Sequence, residues 1–213
     1  MPADSLSPVL IAAAVVGGYL LGSIPFGVIA TRLGGAGDVR SIGSGNIGAT
    51  NVLRTGRKDL ALITLLGDGG KGAVAVFIAW LLTRGGGVQA QASLTSLAGG
   101  AAFLGHLFPV WLKFKGGKGV ATFFGTLLAA AWPVGMAAGA TWILMALVFR
   151  ISSLAALAAA ILAPIYVILL GRPYPIALMA AFMAVLIYIR HKENISRLLK
   201  GQEPRIGKKK EAA

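Results

Sequence analysis

The sequence predicts an all-α integral membrane protein of about seven transmembrane helices, with its N-terminus outside and its C-terminus in the cytoplasm. Three observations lead there. Hydrophobic residues make up 56% of the 213-residue chain, its mean hydropathy is +0.79, and only 13% of its residues are charged, where a soluble domain carries about a quarter. The apolar residues fall into long uncharged runs. The 20 Lys and Arg residues, set against 7 acids, flank those runs rather than interleaving with aromatics. That distribution fits membrane orientation and anionic headgroups, not nucleic acid. With no cysteine in the chain, disulfides, thiol catalysis and Cys-ligated metals are excluded.

Val9 to Thr31 is uncharged for 23 residues, enough to span at about 20 residues, and Pro25 is expected to kink it. Leu60 to Leu82 is a second apolar run, cut by GDGGKG at 67–72. Leu94 to Leu112 is a third, holding His106 and Pro109. Gly119 to Phe149 carries no charge for 31 residues but is interrupted at Trp132-Pro133. Ile151 to Gly171 and Pro173 to Ile189 complete the set, separated by Arg172. Trp80, Trp111, Trp132, Trp142 and Tyr188 read as interface anchors or core. Residues 1–213 read as one domain, with 1–8 and 201–213 as flexible tails. The N-terminal run lacks the basic start and cleavage site of a signal peptide and is long enough to cross.

Parity fixes the orientation. The stretch from Gly34 to Gly56, the KFKGGKG loop at 113–119 and the tail from Arg190, with eight of the twenty basic residues, all belong on the cytoplasmic side. The tail reaches that side only if Gly119–Phe149 crosses twice, turning at Trp132-Pro133. Those 31 residues are too few for two full spans at about 1.5 Å per residue across about 30 Å, so both helices are expected to be short.

The chemistry concentrates in the polar stretch GGAGDVRSIGSGNIGATNVLRTG at 34–56. It brings Arg40, Ser41, Ser44, Asn46, Thr50, Asn51 and Arg54 within 15 residues. Gly43, Gly45 and Gly48 let the backbone turn and approach a ligand. Hydroxyls, amides and a guanidinium suit a phosphate-bearing molecule. The GGKG at 69–72 is echoed at Gly116, Gly117, Lys118 and Gly119, and each precedes an apolar run. Both are expected to be glycine loops that present helix N-termini and a lysine to an anion. Neither is a P-loop, since the first glycine is missing and no Ser or Thr follows the lysine.

Asp68 is one of three acids between residues 5 and 190, either paired with Lys71 or Arg54 or catalytic. His191 and Asn194 share a helix face at i and i+3. His106 reads as hydrogen-bonded structure, and the terminal GKKKEAA as a solvated tail. Neither histidine is followed by Asp five residues on, no G-x-S-x-G elbow occurs, and no cluster of carboxylates and histidines suits a catalytic metal. Such a site needs a substrate that brings its own activation. A phosphate or organic-anion transporter built on broken helices and a non-catalytic phospholipid-binding scaffold stand as alternatives.

Taken together, GSIPFGVI at 22–29, SIGSGNIGATNVLRTG at 41–56, GDGGKGA at 67–73, GHLFPVWLKFKGGKGVAT at 105–122 and HKENI at 191–195 resemble the bacterial acyl-phosphate-dependent glycerol-3-phosphate acyltransferases, over nearly the whole chain and in family order. The resemblance implies a seven-helix fold in the bacterial cytoplasmic membrane and a cytoplasm-facing site. It implies acyl transfer from a fatty acyl phosphate to the 1-hydroxyl of sn-glycerol 3-phosphate, without cofactor or metal and without an obligatory protein partner. The products would be lysophosphatidic acid and inorganic phosphate. It further implies Ser44, Lys118, His191 and Asn194 as catalytic residues. Ser41, Gly43, Gly45, Asn46, Thr50, Asn51, Arg54, Asp68, Lys71, Gly116, Gly117 and Gly119 would bind or frame the substrates.

Overall fold

Ser7 starts the first helix by accepting the Leu10 N–H on its hydroxyl at 3.2 Å, and Pro8 takes the first helical position, where its missing N–H costs nothing. The structure, a computed structural model, describes residues 6–207, and every regular element in it is a helix. Helix α1 (Pro8–Gly22) ends three residues before Pro25, and α2 (Phe26–Leu33) resumes beyond it. The helical ladder of the first apolar run is interrupted there, because Pro25 has no N–H to continue it, while Pro8–Leu33 still counts as one span by length and composition.

A loop and the single-turn α3 (Ala49–Val52) lead into α4 (Lys58–Thr83), 26 residues without interruption. The expected break at 67–72 does not exist: the four glycines there stay helical. Their role is packing. A Cβ on Gly125 would lie 2.0 Å from the Gly69 carbonyl oxygen, and one on Gly72 would lie 2.5 Å from the Thr126 hydroxyl. Small residues thus bring α4 against α6 (Val120–Ala130) at backbone contact, the usual device where lipid removes any hydrophobic drive between helices.

Helix α5 spans Val88–Leu107, six residues upstream of its expected start and ending before Pro109, which disfavours helix in the residue ahead of it. The chain then reverses through a turn in which Lys113 and Phe114 adopt positive φ. Helix α6 is followed after Ala131 by α7 (Trp132–Phe149), with the corner where the sequence placed it. The shortening falls on α6 alone, whose 11 residues reach only about 16 Å. Then come α8 (Ser152–Leu169), α9 (Tyr174–Arg190) and α10 (Lys192–Leu199), the last two meeting at a bend of 64°. Among the described residues five helical segments are long and apolar enough to cross a membrane, or six counting that bent pair.

Gly18 of α1 abuts Ala98 of α5, and Gly22 abuts Ala102, so these two helices run in the same direction. Helix α4 must return between them. The loops at 34–57 and 108–119 therefore emerge at one end of the bundle, and the turn at 84–87 at the other. Phe103, Leu107, Phe123, Leu127, Met183 and Ile187 form the core beneath the first end, while Leu66, Leu147 and Ile168 point outward, as lipid-facing residues do. Residues 201–207, expected as a flexible tail, instead dock on the bundle: the Ile206 N–H donates to the Arg150 carbonyl at 2.6 Å and Arg150 donates back to the Ile206 carbonyl at 3.0 Å. Residues 1–5 and 208–213 lie outside the described residues.

A Gly125→Ala substitution is expected to force α4 from α6 and cost about 2 kcal/mol. Gly139→Ala, where an added Cβ meets nothing within 4 Å, should leave the thermal unfolding midpoint in detergent unchanged or slightly raised. Equal midpoints for the two variants would refute the close-packing role of Gly125.

Candidate active site

Asn51 is the residue around which the 34–56 loop is wound. Its side chain is 2% exposed. Its amide nitrogen donates to the carbonyls of Val39, Ile42 and Asn46 at 2.8–2.9 Å, and its oxygen accepts from the Ser44 N–H at 3.1 Å and the Ser44 hydroxyl at 3.3 Å. Arg54 donates to the same oxygen at 3.3 Å. Asn51 is thus spent on the loop itself, a correction to its expected role as a substrate ligand. What it presents outward is the Ser44 hydroxyl, the exposed Thr50 and Arg54. Gly43, at φ +56, lies where a Cβ would strike Arg54 and Asn51 at 2.6 Å, so only glycine closes this turn. Gly45 also has positive φ. Asn46 accepts the Gly48 N–H at 3.1 Å.

Asp38, which the sequence did not single out, organises the loop's entrance. It accepts the Arg40 N–H and binds the guanidinium groups of Arg40 and Arg32. Hydrogen bonds from Arg40 hold its carboxyl well below the usual carboxylate range. The Ser41 hydroxyl donates to the Asp38 carbonyl at 2.7 Å. Arg40 is neutralised there. Arg54 has no acidic partner among the described residues.

The second group is built on the Gly116–Gly119 loop. The Gly116 and Gly117 N–H groups donate to the Leu107 and His106 carbonyls, both at 3.1 Å, so these two amides are not free to meet an anion as expected. Among the described residues the backbone N–H groups from Lys118 to Thr122 carry no hydrogen bond, at the positive end of α6, with Gly119 capping the helix at φ +86. Arg190 holds the loop from outside, donating to the Gly116 carbonyl at 2.8 Å and the Gly117 carbonyl at 3.1 Å.

Lys118 donates to Asn194 Oδ1 at 2.5 Å, and the Asn194 amide donates to Glu203 Oε1 at 2.5 Å. Glu203 also accepts from Ser153 and Arg197, each at 2.7 Å. Burial pushes the Glu203 carboxyl up, but the hydrogen bonds from Asn194, Ser153 and Arg197 outweigh it and hold the carboxyl below its ordinary value. Burial, with Glu203 opposing, lowers the Lys118 ammonium from its usual value. His191 donates from Nδ1 to the Ile187 carbonyl at 2.8 Å, which leaves Nε2 as an acceptor. Desolvation lowers the His191 imidazole to about 4.

Lys118, His191 and Asn194 are therefore brought together as the sequence suggested, with Arg190, Ser153, Arg197 and Glu203 as additions. The signal for Arg190 was its place beside His191 at the end of the last span. Ser153 and Glu203 meet only through folding across 50 residues, and no local pattern marks them. Ser44, Asn46, Thr50, Asn51 and Arg54 form their own group. No hydrogen bond joins the two groups among the described residues. They are neighbours through Leu112, which packs on the apolar patch of Val28, Val39, Ile47, Val52 and Leu60 beneath the first loop. Asp68 and Lys71 belong to neither. Both lie buried in α4 as an ion pair at 2.8 Å, so the predicted glycine loop at 69–72 is not an anion site. Among the pairings left open for Asp68, the structure selects Lys71.

Comparison with known proteins gives one answer. The family model for glycerol-3-phosphate acyltransferase matches residues 12–201. A glycerol-3-phosphate acyltransferase of Caulobacter vibrioides is 72% identical over 199 residues, covering 93% of this chain and 89% of that protein. One from Rhodospirillum rubrum is 59% identical over 212 residues, covering 99% and 98%. The crystal structure of PlsY, an integral membrane glycerol 3-phosphate acyltransferase, in its glycerol 3-phosphate form superposes with a TM-score of 0.84 at 38% identity, covering 92% of this chain and 96% of that one. The lysophosphatidic acid form of PlsY gives a TM-score of 0.83.

His191 carries a pH prediction. Its pKa falls from 6.5 to about 4 on folding, so the folded state binds fewer protons than the unfolded state between those values. Its contribution to stability is complete above pH 6.5 and is lost as pH falls toward 4. The unfolding midpoint of the protein in detergent should drop more steeply across that window than that of His191→Gln. Parallel profiles would refute the assignment.

Proposed function

This chain belongs to the glycerol-3-phosphate acyltransferase family, of PlsY type, and from that membership we propose that it moves a fatty acyl group from acyl phosphate to the 1-hydroxyl of sn-glycerol 3-phosphate. The products are lysophosphatidic acid and inorganic phosphate. It is a multi-pass membrane acyltransferase, which sets aside the transporter and scaffold readings. We place it in the bacterial cytoplasmic membrane with its polar end facing the cytoplasm. The observation that supports the donor is a pair of cations, Arg54 and Lys118, each on a glycine-shaped loop at one end of an apolar bundle and neither in a direct ion pair among the described residues. Two cations suit two phosphates.

An acyl phosphate is a mixed anhydride, so its phosphate leaves readily once its charge is neutralised. The protein's task is then to hold two anions together and align the hydroxyl on the carbonyl carbon. Ser44, Asn46, Thr50 and Arg54 would hold glycerol phosphate. Lys118 and the open amides at the start of α6 would meet the acyl phosphate or the oxyanion that develops on its carbonyl. The hydroxyl oxygen bonds to the carbonyl carbon, the carbon–oxygen bond to phosphate breaks, and the proton leaves on the departing phosphate. His191 is poorly matched as a base at neutral pH, with a pKa of about 4, because a useful base titrates near the working pH. We assign the proton to a substrate phosphate oxygen, a reading that the His191→Ala variant tests.

Detergent-purified protein given palmitoyl phosphate and glycerol 3-phosphate should release phosphate only with both substrates present and form lysophosphatidic acid. A preference for palmitoyl-CoA would overturn the donor assignment. Lys118→Ala and Arg54→Ala should each weaken substrate affinity about tenfold to a hundredfold, and unchanged kinetics would remove either residue from the site. His191→Ala should retain single-turnover chemistry. Its abolition with binding intact would make His191 the base.

A further inference from the structure

Three titratable side chains lie outside the site just described and are sealed from solvent. Asp68 is 1% exposed, Lys71 3% and His106 3%. Uncompensated charge at such depth is costly, yet the contacts of this cluster reach outward to both anion-binding arms. Lys71 donates to Asp68 at 2.8 Å and to the Ile24 carbonyl at 2.8 Å, and its ammonium lies 5.9 Å from the centre of the Phe26 ring. Ile24 and Phe26 flank Pro25, where the first apolar run breaks, and α2 leads from there directly into the 34–56 loop. On the other side, His106 Nδ1 sits 3.4 Å from the same Asp68 oxygen. The His106 carbonyl accepts the Gly117 N–H. Its ring lies flush on Gly117, where an added Cβ would come 2.1 Å from Nε2. The residue after Gly117 is Lys118.

We infer that Asp68, Lys71 and His106 form a buried positioning unit that sets the two anion-binding arms relative to each other, Lys71 fixing the break that leads to the first arm, His106 seating the GGKG loop, and Asp68 joining them. The kinetic part of this inference rests on the proposed acyl transfer; the mechanical part does not. None of the three side chains touches substrate. Their effect is on where Ser44 and Arg54 lie with respect to Lys118, a distance to which reaction rate is sensitive. The echo of GGKG at 69–72 and 116–119 thus marks a support and an arm, not two equivalent anion loops.

The experiment is hydrogen exchange on the full chain in detergent, comparing the protein with Asp68→Asn, His106→Leu and His106→Asn. In Asp68→Asn both the 24–54 segment and the 107–119 segment should exchange about tenfold faster, with 84–90 at the far end unchanged. His106→Leu should loosen 107–119, and His106→Asn, which keeps a donor near the Nδ1 position, should restore it. Should Asp68→Asn fail to fold, the two His106 variants decide. Acceleration spread through every helix, or no acceleration in 107–119, would overturn the inference. In turnover, KM for glycerol 3-phosphate should rise about tenfold in His106→Leu and recover in His106→Asn. Absence of turnover by the unaltered protein would count against the proposed function while leaving the exchange result to judge the positioning unit.

Discussion

A single ion pair inside the bundle, Lys71 on Asp68, shapes much of what surrounds it. Two charges placed among apolar helices persist only if every strong donor and acceptor is met. The Ile24 carbonyl at the α1–α2 break accepts from Lys71, and His106 at the end of α5 places Nδ1 3.4 Å from Asp68. The pair is then less a source of stability than of registration: replacing it with apolar side chains could give an equally stable bundle, but nothing would tie the break to the end of α5. Around it, small residues carry the close contacts, as at Gly69 against Gly125 and Gly22 against Ala102.

Asn51 plays the corresponding part outside the bundle. One amide side chain satisfies three carbonyls and two groups of Ser44, so a stretch with little regular structure still has a defined shape. Loops that must present several ligands at once face a conflict, since each polar side chain spent inward is lost to the ligand. Here the division is clear: Asn51 turns inward and Asp38 is spent on Arg32 and Arg40, while Ser44, Thr50 and Arg54 remain at the surface.

The class of fold was legible because lipid imposes it. Uncharged runs of spanning length leave few alternatives to helices, and the corner near Trp132 followed from charge parity together with the interruption at Trp132-Pro133. The interruption at Pro25 was visible as a proline. The helical state of 67–72 was hidden because glycine reads the same in a loop and in a close helix crossing. The polar stretch could be picked out by composition, and Lys118, His191 and Asn194 by type and place. Which amides of the second loop were already bonded depended on carbonyls at the end of α5, those of Leu107 and His106, which no local pattern reveals. Ser153 and Glu203 were lost for the same reason, being joined only through tertiary folding.

The bonds from Gly116 and Gly117 to the last carbonyls of α5 carry one more implication. Each closes a gap left by a helix end, so the turn that bears Lys118 is wound before any ligand arrives. The conformational freedom of that turn is surrendered once, when the chain folds, and not again at every catalytic cycle. A site of this kind meets its ligand as a template rather than by wrapping around it, and binding energy is left over for drawing two mutually repelling anions to bonding distance.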